Sequence, residues 1–235
     1  FASKKIDCKL MDINETTFLK KMIKKYRVNY VFHAAAYKHV RFLEENLYTA
    51  VKNNILGTIS VLEACKNLKI NLTIISTDKA VEPESILGLT KRVSEILCLN
   101  LLKKNEFKKI KLNIVRFGNV FGSQGSAIET FINQIKNNQK ITLTSYKMKR
   151  YFMSTREACN LVIQSSILGY TNKIFILNMG KQIRIIELIK KMLALYGKNE
   201  KNFTKKKIGK FKGEKISEKL SYSLKKIKTK VKNLL

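Results

Sequence analysis

Two hydrophobic periods alternate along this chain, and that alternation constrains its fold more than any other feature. Residues 28–33 (VNYVFH), 71–76 (NLTIIS) and 112–117 (LNIVRF) are short, nearly continuous apolar runs. Between them, residues 48–68 and 86–102 carry apolar side chains at helical spacing: Val51, Ile55, Ile59 and Leu62 in the first, and Leu87, Val93, Leu97 and Leu101 in the second. A further helical stretch covers residues 15–26, and another residues 127–135. Apolar runs without in–out alternation suit strands covered on both faces, and strands alternating with helices of this length form βαβ units. The expected fold class is therefore α/β, a doubly wound parallel sheet.

After Lys140 the pattern loosens. Short strands are predicted at 141–144 and 173–177, and helices at 155–168 and 183–196. The organisation read from this is a partial dinucleotide-binding domain over 1–140, then a small mixed α/β substrate lobe over 141–220, interleaved with the sheet. Residues 221–235 form a basic tail. From Lys198 onward the chain holds fourteen lysines against three glutamates, so this end is expected to be a solvated segment, with one helix after Ile216.

The formal charge of +30 invites a nucleic-acid or membrane-surface reading. Yet of 47 basic residues only seven are arginine, and they are scattered, whereas phosphate and base recognition favours arginine forks. Nucleic acid is set aside as a partner; an anionic nucleotide would still be drawn to this surface. The four cysteines (Cys8, Cys65, Cys98, Cys159) form no C-x-x-C pair, and with two histidines no metal site is expected. Cys65 and Cys98 fall in apolar helical patterns, as buried thiols of a reducing compartment do. No signal peptide or membrane-length apolar run is visible, so the expected location is cytoplasmic. Since the chain opens FASKKIDCKL, without Met, it reads as lacking an N-terminal part, which leaves room for a membrane-attached region upstream.

The chemistry-bearing residues cluster at strand ends. Asp12-Ile13 precedes a helix, where an acid meets a ribose or simply caps the helix. Ala34-Ala35-Ala36 permits close backbone approach to a ligand, or plain packing, with Lys38 and His39 in the loop beyond. Ser76-Thr77-Asp78-Lys79 ends the next strand, at the sheet edge where open α/β folds bind ligands. There an acid beside a base serves proton transfer, or forms a surface ion pair. Lys91 follows on the next helix. The G-x-G-x-x-G turn that cradles a pyrophosphate at a helix N-terminus is absent from the chain. The fold is thus expected to be Rossmann-like with its first βα unit missing.

The segments VFHAAAYKHV, KNNILGT, ISTDKAVEPESILGLTKR, VRFGNVFGSQGS and MKRYFM, in this order, resemble the nucleotide-sugar 4,6-dehydratase branch of the extended short-chain dehydrogenase/reductase family. More narrowly, they resemble polysaccharide-biosynthesis proteins that act on UDP-N-acetylglucosamine. The resemblance implies a lyase in which NAD or NADP oxidises the sugar at C4, a C5 proton and the C6 hydroxyl are eliminated as water, and hydride returns to C6. It assigns Asp78 and Lys79 as the acid/base pair, Thr77 as their hydroxyl partner, and Lys91 as a catalytic, cofactor-binding lysine. Cofactor contacts fall on Asp12, Ile13, Ala34, Lys38, Ser76 and Val120. Substrate contacts fall on Asn119, Arg150 and position 87. The implied partner is a UDP-sugar, and the implied assembly a homo-oligomer.

The sequence also departs from that pattern. Leu87 stands where the superfamily's Y-x-x-x-K places tyrosine, and it cannot assist proton transfer. Arg41 replaces the proline of KHVP, Lys149 the threonine of TRYFM, and Phe211 an arginine of GLRPGEK. The last change exchanges a phosphate-binding fork for a ring. Two alternatives stay open: a nucleotide-sugar 4-epimerase, and a non-catalytic remnant serving as a binding partner.

Overall fold

The computed structural model describes residues 6–222 and 229–235. Its centre is a four-stranded parallel sheet of β1 (Tyr30–His33), β2 (Asn71–Thr77), β3 (Lys111–Phe117) and β8 (Lys173–Ile176), in that spatial order. The three apolar runs thus become three adjacent strands, in register from Tyr30 opposite Asn71 and Asn71 opposite Lys111. β2 and β3 are buried on both faces, as their unbroken apolar sequences require. β1 differs from the expectation: it is the sheet edge, and Tyr30 and Phe32 are exposed on it.

The crossovers are helical. α1 (Thr16–Lys25) leads into β1; α2 (Val40–Glu45) and a continuous helix follow it. That helix comprises α3 (Leu47–Ala50), a wider π-type turn at Val51–Leu56 and α4 (Gly57–Ala64). It stops short of the expected residue 68. α5 (Ile86–Leu101) connects β2 to β3 and starts where the Ser85 hydroxyl accepts from Gly88 N. A core built around Leu62, Leu72, Ile74, Phe107, Leu112 and Ile114 lies between these helices and the sheet. Each such side chain, fully buried, contributes about 1.5–3 kcal/mol.

Beyond β4 (Asn119–Val120), α6 (Ala127–Lys136) opens on Ser126 with Glu129 three residues on. α7 (Thr155–Ile167) repeats the device with Ser154 and Glu157. β5 (Ile141–Leu143), β6 (Lys149–Arg150) and β7 (Phe152–Met153) pair only in two-stranded units. Their partners are β10 (Lys205–Lys207) for β5, β9 (Ile183–Arg184) for β6, and β4 for β7. Residues 183–184, predicted as the start of a helix, form β9, and α8 (Ile185–Leu195) begins after them. A second core of Ile135, Ile141, Leu143, Ile189 and Leu193 holds this lobe together.

The tail is not wholly solvated. Leu234 is buried and bridges Leu177, while Ile176 and Leu235 exchange backbone hydrogen bonds, so the chain end covers the open edge of β8. A sheet edge offers unpaired N–H and C=O groups, which outweighs the pull of the lysines toward water. The helix expected after Ile216 lies partly on residues 223–228, outside the described residues; no helix is present at 216–222 or 229–235. No helix among the described residues is long and apolar enough to cross a membrane.

Candidate functional site

A cavity of about 640 Å³ opens between the carboxyl ends of the parallel strands and the smaller lobe. That volume suits a small-molecule ligand, and the place is where open α/β sheets bind them. Its sheet-side wall includes Ala34, Ser76, Thr77, Lys79 and Lys91, and its lobe-side wall Phe131, Leu143, Arg150, Phe152 and Ile185.

The Ser76–Lys79 segment is positioned by two close approaches. A Cβ on Gly88 would lie 2.2 Å from the Lys79 carbonyl oxygen, so α5 sits against the turn only because residue 88 is glycine. A Cβ on Gly118 would lie 2.8 Å from Asp78 Oδ2. Within the segment, Lys79 Nζ donates to Asp78 Oδ1 at 3.0 Å, and the Thr77 hydroxyl donates to the same oxygen at 3.0 Å. Asp78 is fully buried, one layer behind the wall formed by Thr77 and Lys79, and its Oδ2 has no hydrogen-bond partner.

Lys91 is buried, and its Nζ donates to the Ile75 carbonyl at 2.8 Å. Burial pushes its pKa down to about 8, partly countered by Glu95 and Cys98. Nearby His33 is a core histidine bonded to the Thr58 hydroxyl, pushed down to about 4 by burial and by Lys91. Cys65 and Cys98 are buried thiols pushed up to about 12 by desolvation. Asn54, in the π-type turn, clamps the loop after β1. Its Oδ1 accepts from Tyr37 N, and its Nδ2 donates to the Tyr37 carbonyl and the Thr90 hydroxyl.

The structure gathers most of the predicted residues at one cavity: Ala34, Lys38, Ser76, Thr77, Lys79, Leu87, Lys91, Asn119, Val120 and Arg150 all line it. Two do not. Asp12 is exposed and accepts from the backbone and side-chain amides of Asn14, while Ile13 packs against Gly57 and the first core. Others are engaged within the protein: besides Lys91, Lys38 Nζ donates to the Gln124 carbonyl at 2.6 Å. The Ser76 hydroxyl donates to buried Glu95 at 2.6 Å. Arg150 is buried, and its guanidinium donates to the carbonyls of Lys149, Lys215 and Ile216.

Those last contacts reveal a strap, residues 214–222, that crosses the site and was not foreseen. Lys215 Nζ donates to the carbonyls of Val81 and Glu82, Lys219 pairs with Glu82 at 2.8 Å, and the Tyr222 hydroxyl donates to the Ala80 carbonyl. The strap carries Glu218, a buried carboxylate lining the cavity 3.6 Å from Lys79 Nζ. No local spacing links a residue so late in the chain to Lys79; only its place just after GKFKGEK hinted at it.

The family model for polysaccharide biosynthesis proteins matches residues 1–234. The chain belongs to the polysaccharide biosynthesis protein family. Among its curated relatives, the capsular polysaccharide biosynthesis protein CapD of Staphylococcus aureus is 40% identical over 212 residues, covering 90% of this chain and 35% of that protein. A protein named UDP-glucose 4-epimerase in Rickettsia canadensis is 37% identical over 195 residues, covering 82% of this chain and 56% of the relative. This family member therefore spans about a third to a half of the length of those two relatives. Among solved structures, Pen from Bacillus thuringiensis superposes with a TM-score of 0.83 at 35% identity, covering 90% of this chain and 66% of that one. The dTDP-glucose 4,6-dehydratase DesIV from Streptomyces venezuelae, solved with NAD and TYD, gives 0.78 at 18% identity and covers 90% and 69%. The last comparison shows the shared fold, a Rossmann-like α/β sheet.

Proposed function

We propose that this chain carries the elimination site of a nucleotide-sugar 4,6-dehydratase acting on UDP-N-acetylglucosamine or a similar UDP-sugar in surface-polysaccharide synthesis. The observation that carries the reading is the hydrogen-bonded Thr77–Asp78–Lys79 unit at the cavity wall. An epimerase needs no elimination acid, whereas a dehydratase needs a base for C5–H and a proton for the departing C6 hydroxyl.

Lys79 Nζ, at the wall, takes the C5 proton as its free amine. Asp78 is too deep to reach a sugar, so its proton reaches the leaving oxygen through Thr77: the hydroxyl turns its hydrogen from Asp78 to the leaving oxygen, gives it up and takes one from Asp78. The unit ends as ammonium and carboxylate, and proton return across the 3.0 Å Lys79–Asp78 contact resets it. Asn119 reads sugar hydroxyls. Arg150 fixes the strap and the lobe-side wall.

The dinucleotide NAD or NADP fits the sheet-side wall in part. Ala34 and Ala36 leave room at the end of β1, and Lys91 holds a buried amine at the wall. Ser76, its hydroxyl engaged by Glu95, offers backbone alone. When bound, the nicotinamide supplies oxidation at C4 and hydride return at C6. Lys91, Ala34, Lys38 and Val120 would hold that end, and this chain contains no glycine turn for the pyrophosphate.

The epimerase alternative is favoured by the Rickettsia relative's name. It is disfavoured by Leu87, which presents a buried aliphatic side chain to the cavity where a hydroxyl is required. Incubating the full-length protein with UDP-N-acetylglucosamine and NAD or NADP, and analysing the product, separates the two: a 4-keto-6-deoxy sugar is expected. An epimer alone, or Lys79→Ala turning over at the wild-type rate, overturns the proposal.

A further inference from the structure

The strap places a second carboxylate on Lys79. Nζ lies 3.0 Å from Asp78 Oδ1 and 3.6 Å from Glu218 Oε1, so one amine sits between two buried acids from distant parts of the chain. Glu218 Oε2 makes no hydrogen bond, and Lys215 Nζ stands 4.0 Å from it. A carboxylate taken out of water without filling its lone pairs carries an uncompensated desolvation cost. Nothing in the strap's attachment requires that cost. The strap is already held through its backbone by Arg150 and Gln182, by the Lys215 side chain on the β2–α5 turn, and by Tyr222.

We propose that Glu218 is a positioning residue of the elimination site: its carboxylate stabilises the positive charge that develops on Lys79 Nζ as it takes the C5 proton. The inference rests on the dehydratase reading. The C5–H bond breaks, the N–H bond forms, and Lys79 passes from neutral to cationic 3.6 Å from an anion already in place. Asp78, the nearer acid, gives its proton away in the same step, so Glu218 is the charge that stays constant. Asp78 and Lys79 from the turn after β2, Arg150 from β6 and Lys215 from the strap face Glu218. Burial, the largest influence, together with Asp78 raises its pKa above the ordinary glutamate value, while the three cations oppose this.

Two measurements on the full-length protein test the assignment. In the pH profile of turnover, wild type loses kcat on acidification along a limb above the ordinary glutamate range, as Glu218 takes a proton. Glu218→Gln is expected to displace that limb, leaving only the acid loss that the base itself imposes, and to run about tenfold or more below the wild-type plateau with KM unchanged. A merely structural role would lower kcat at all pH values and leave the limb in place. The second measurement needs no turnover: acylation of Lys79 at fixed pH, located by mass spectrometry. Glu218→Gln is expected to speed labelling about tenfold, because the amine loses the anion that holds its proton. Gln182→Ala, which loosens the strap but keeps the carboxylate, is expected to change it far less.

Labelling at the wild-type rate in Glu218→Gln, or equal acceleration in Gln182→Ala, overturns the inference, as does an acid limb left at its wild-type position. If Glu218→Gln folds poorly, Glu218→Asp serves, with a labelling rate between those of wild type and a faster-reacting Glu218→Ala; equal rates in all three overturn the inference. Accelerated labelling without any 4-keto-6-deoxy product from wild type would leave the Lys79–Glu218 coupling standing and sink the dehydratase reading alone.

Discussion

The Arg41 guanidinium lies over the ring of Phe211, 5.0 Å from its centroid, and both side chains line the cavity. These are two of the positions at which the sequence departs from the pattern it resembles, and the fold brings them into contact. Where an arginine was expected at 211, a ring there carries the arginine of α2 instead. Arg41 has no carboxylate partner among the described residues, so its charge faces the cavity uncompensated. Arg41→Ala is expected to weaken binding of UDP by about tenfold in calorimetric titration, the loss of one charge-assisted contact of about 1.5 kcal/mol. Phe211→Ala should weaken it less, since a cation–π contact at an exposed site contributes about 0.5–1 kcal/mol. Unchanged affinity in Arg41→Ala would show that the pair is not part of the nucleotide site.

Gly88 couples the helix to the chemistry. A methyl group there meets the Lys79 carbonyl at 2.2 Å and the Pro83 side chain at 3.1 Å, so either α5 or the Asp78–Lys79 turn must move. Gly88→Ala is expected to cost about 1–3 kcal/mol by overpacking and to abolish turnover before it abolishes folding. Urea unfolding and product formation, measured on the same sample, check both parts. A fully active Gly88→Ala enzyme would refute the coupling.

Glu95 ties the sheet to α5 beneath the site. It accepts from Ser76 Oγ at 2.6 Å, from Arg116 at 2.7 and 2.5 Å, and from Arg92 at 3.1 Å, and it is buried together with Arg116. Glu95→Ala strands the Arg116 cation in the interior, an expected loss of about 3–5 kcal/mol. Replacing both residues together, as Glu95→Leu with Arg116→Met, should recover much of it. A double-mutant cycle by denaturant unfolding reads the difference.

Lys91 makes stability rise with pH. The unfolded lysine keeps its proton to about 10.5, while burial makes the folded one release it at about 8. Between those values the unfolded chain binds more protons, so folding gains stability as pH rises through the window. Below it the burial cost of about 3 kcal/mol is fully present. Lys91→Met is expected to raise the melting temperature at pH 7 and to flatten the rise between pH 8 and 10. An unaltered pH dependence in Lys91→Met would assign the rise to another group.

The Thr77–Asp78–Lys79 unit shows how far local sequence reaches. Its identity and its place at a strand end were legible, because β2 is an unbroken apolar run and a following helix must start close behind it. Ser85 and Gly88 then fix where that helix begins and how near it lies. The burial of Cys65, Cys98 and the β2 and β3 side chains was legible for the same reason: hydrophobic period translates directly into which face is covered. Contacts between segments distant in the chain were not legible. Asp12 and Ile13 matched a motif, yet they lie off the cavity. Ser76 and Arg150 matched contacts, yet their polar groups are engaged by Glu95 and by the strap.

The sequence by itself determined the α/β architecture, the three central strands, and the turn that bears the acid and base, since each depends on local period and on residues adjacent in the chain. Only the tertiary structure decided that Glu218 would stand beside Lys79, that Arg41 would lie on Phe211, and that Leu234 would cover the edge of β8. These depend on how the lobe and the C-terminal strap return to the sheet. Their energies arise from desolvation and charge at the point of contact, which hydrophobic periodicity does not record.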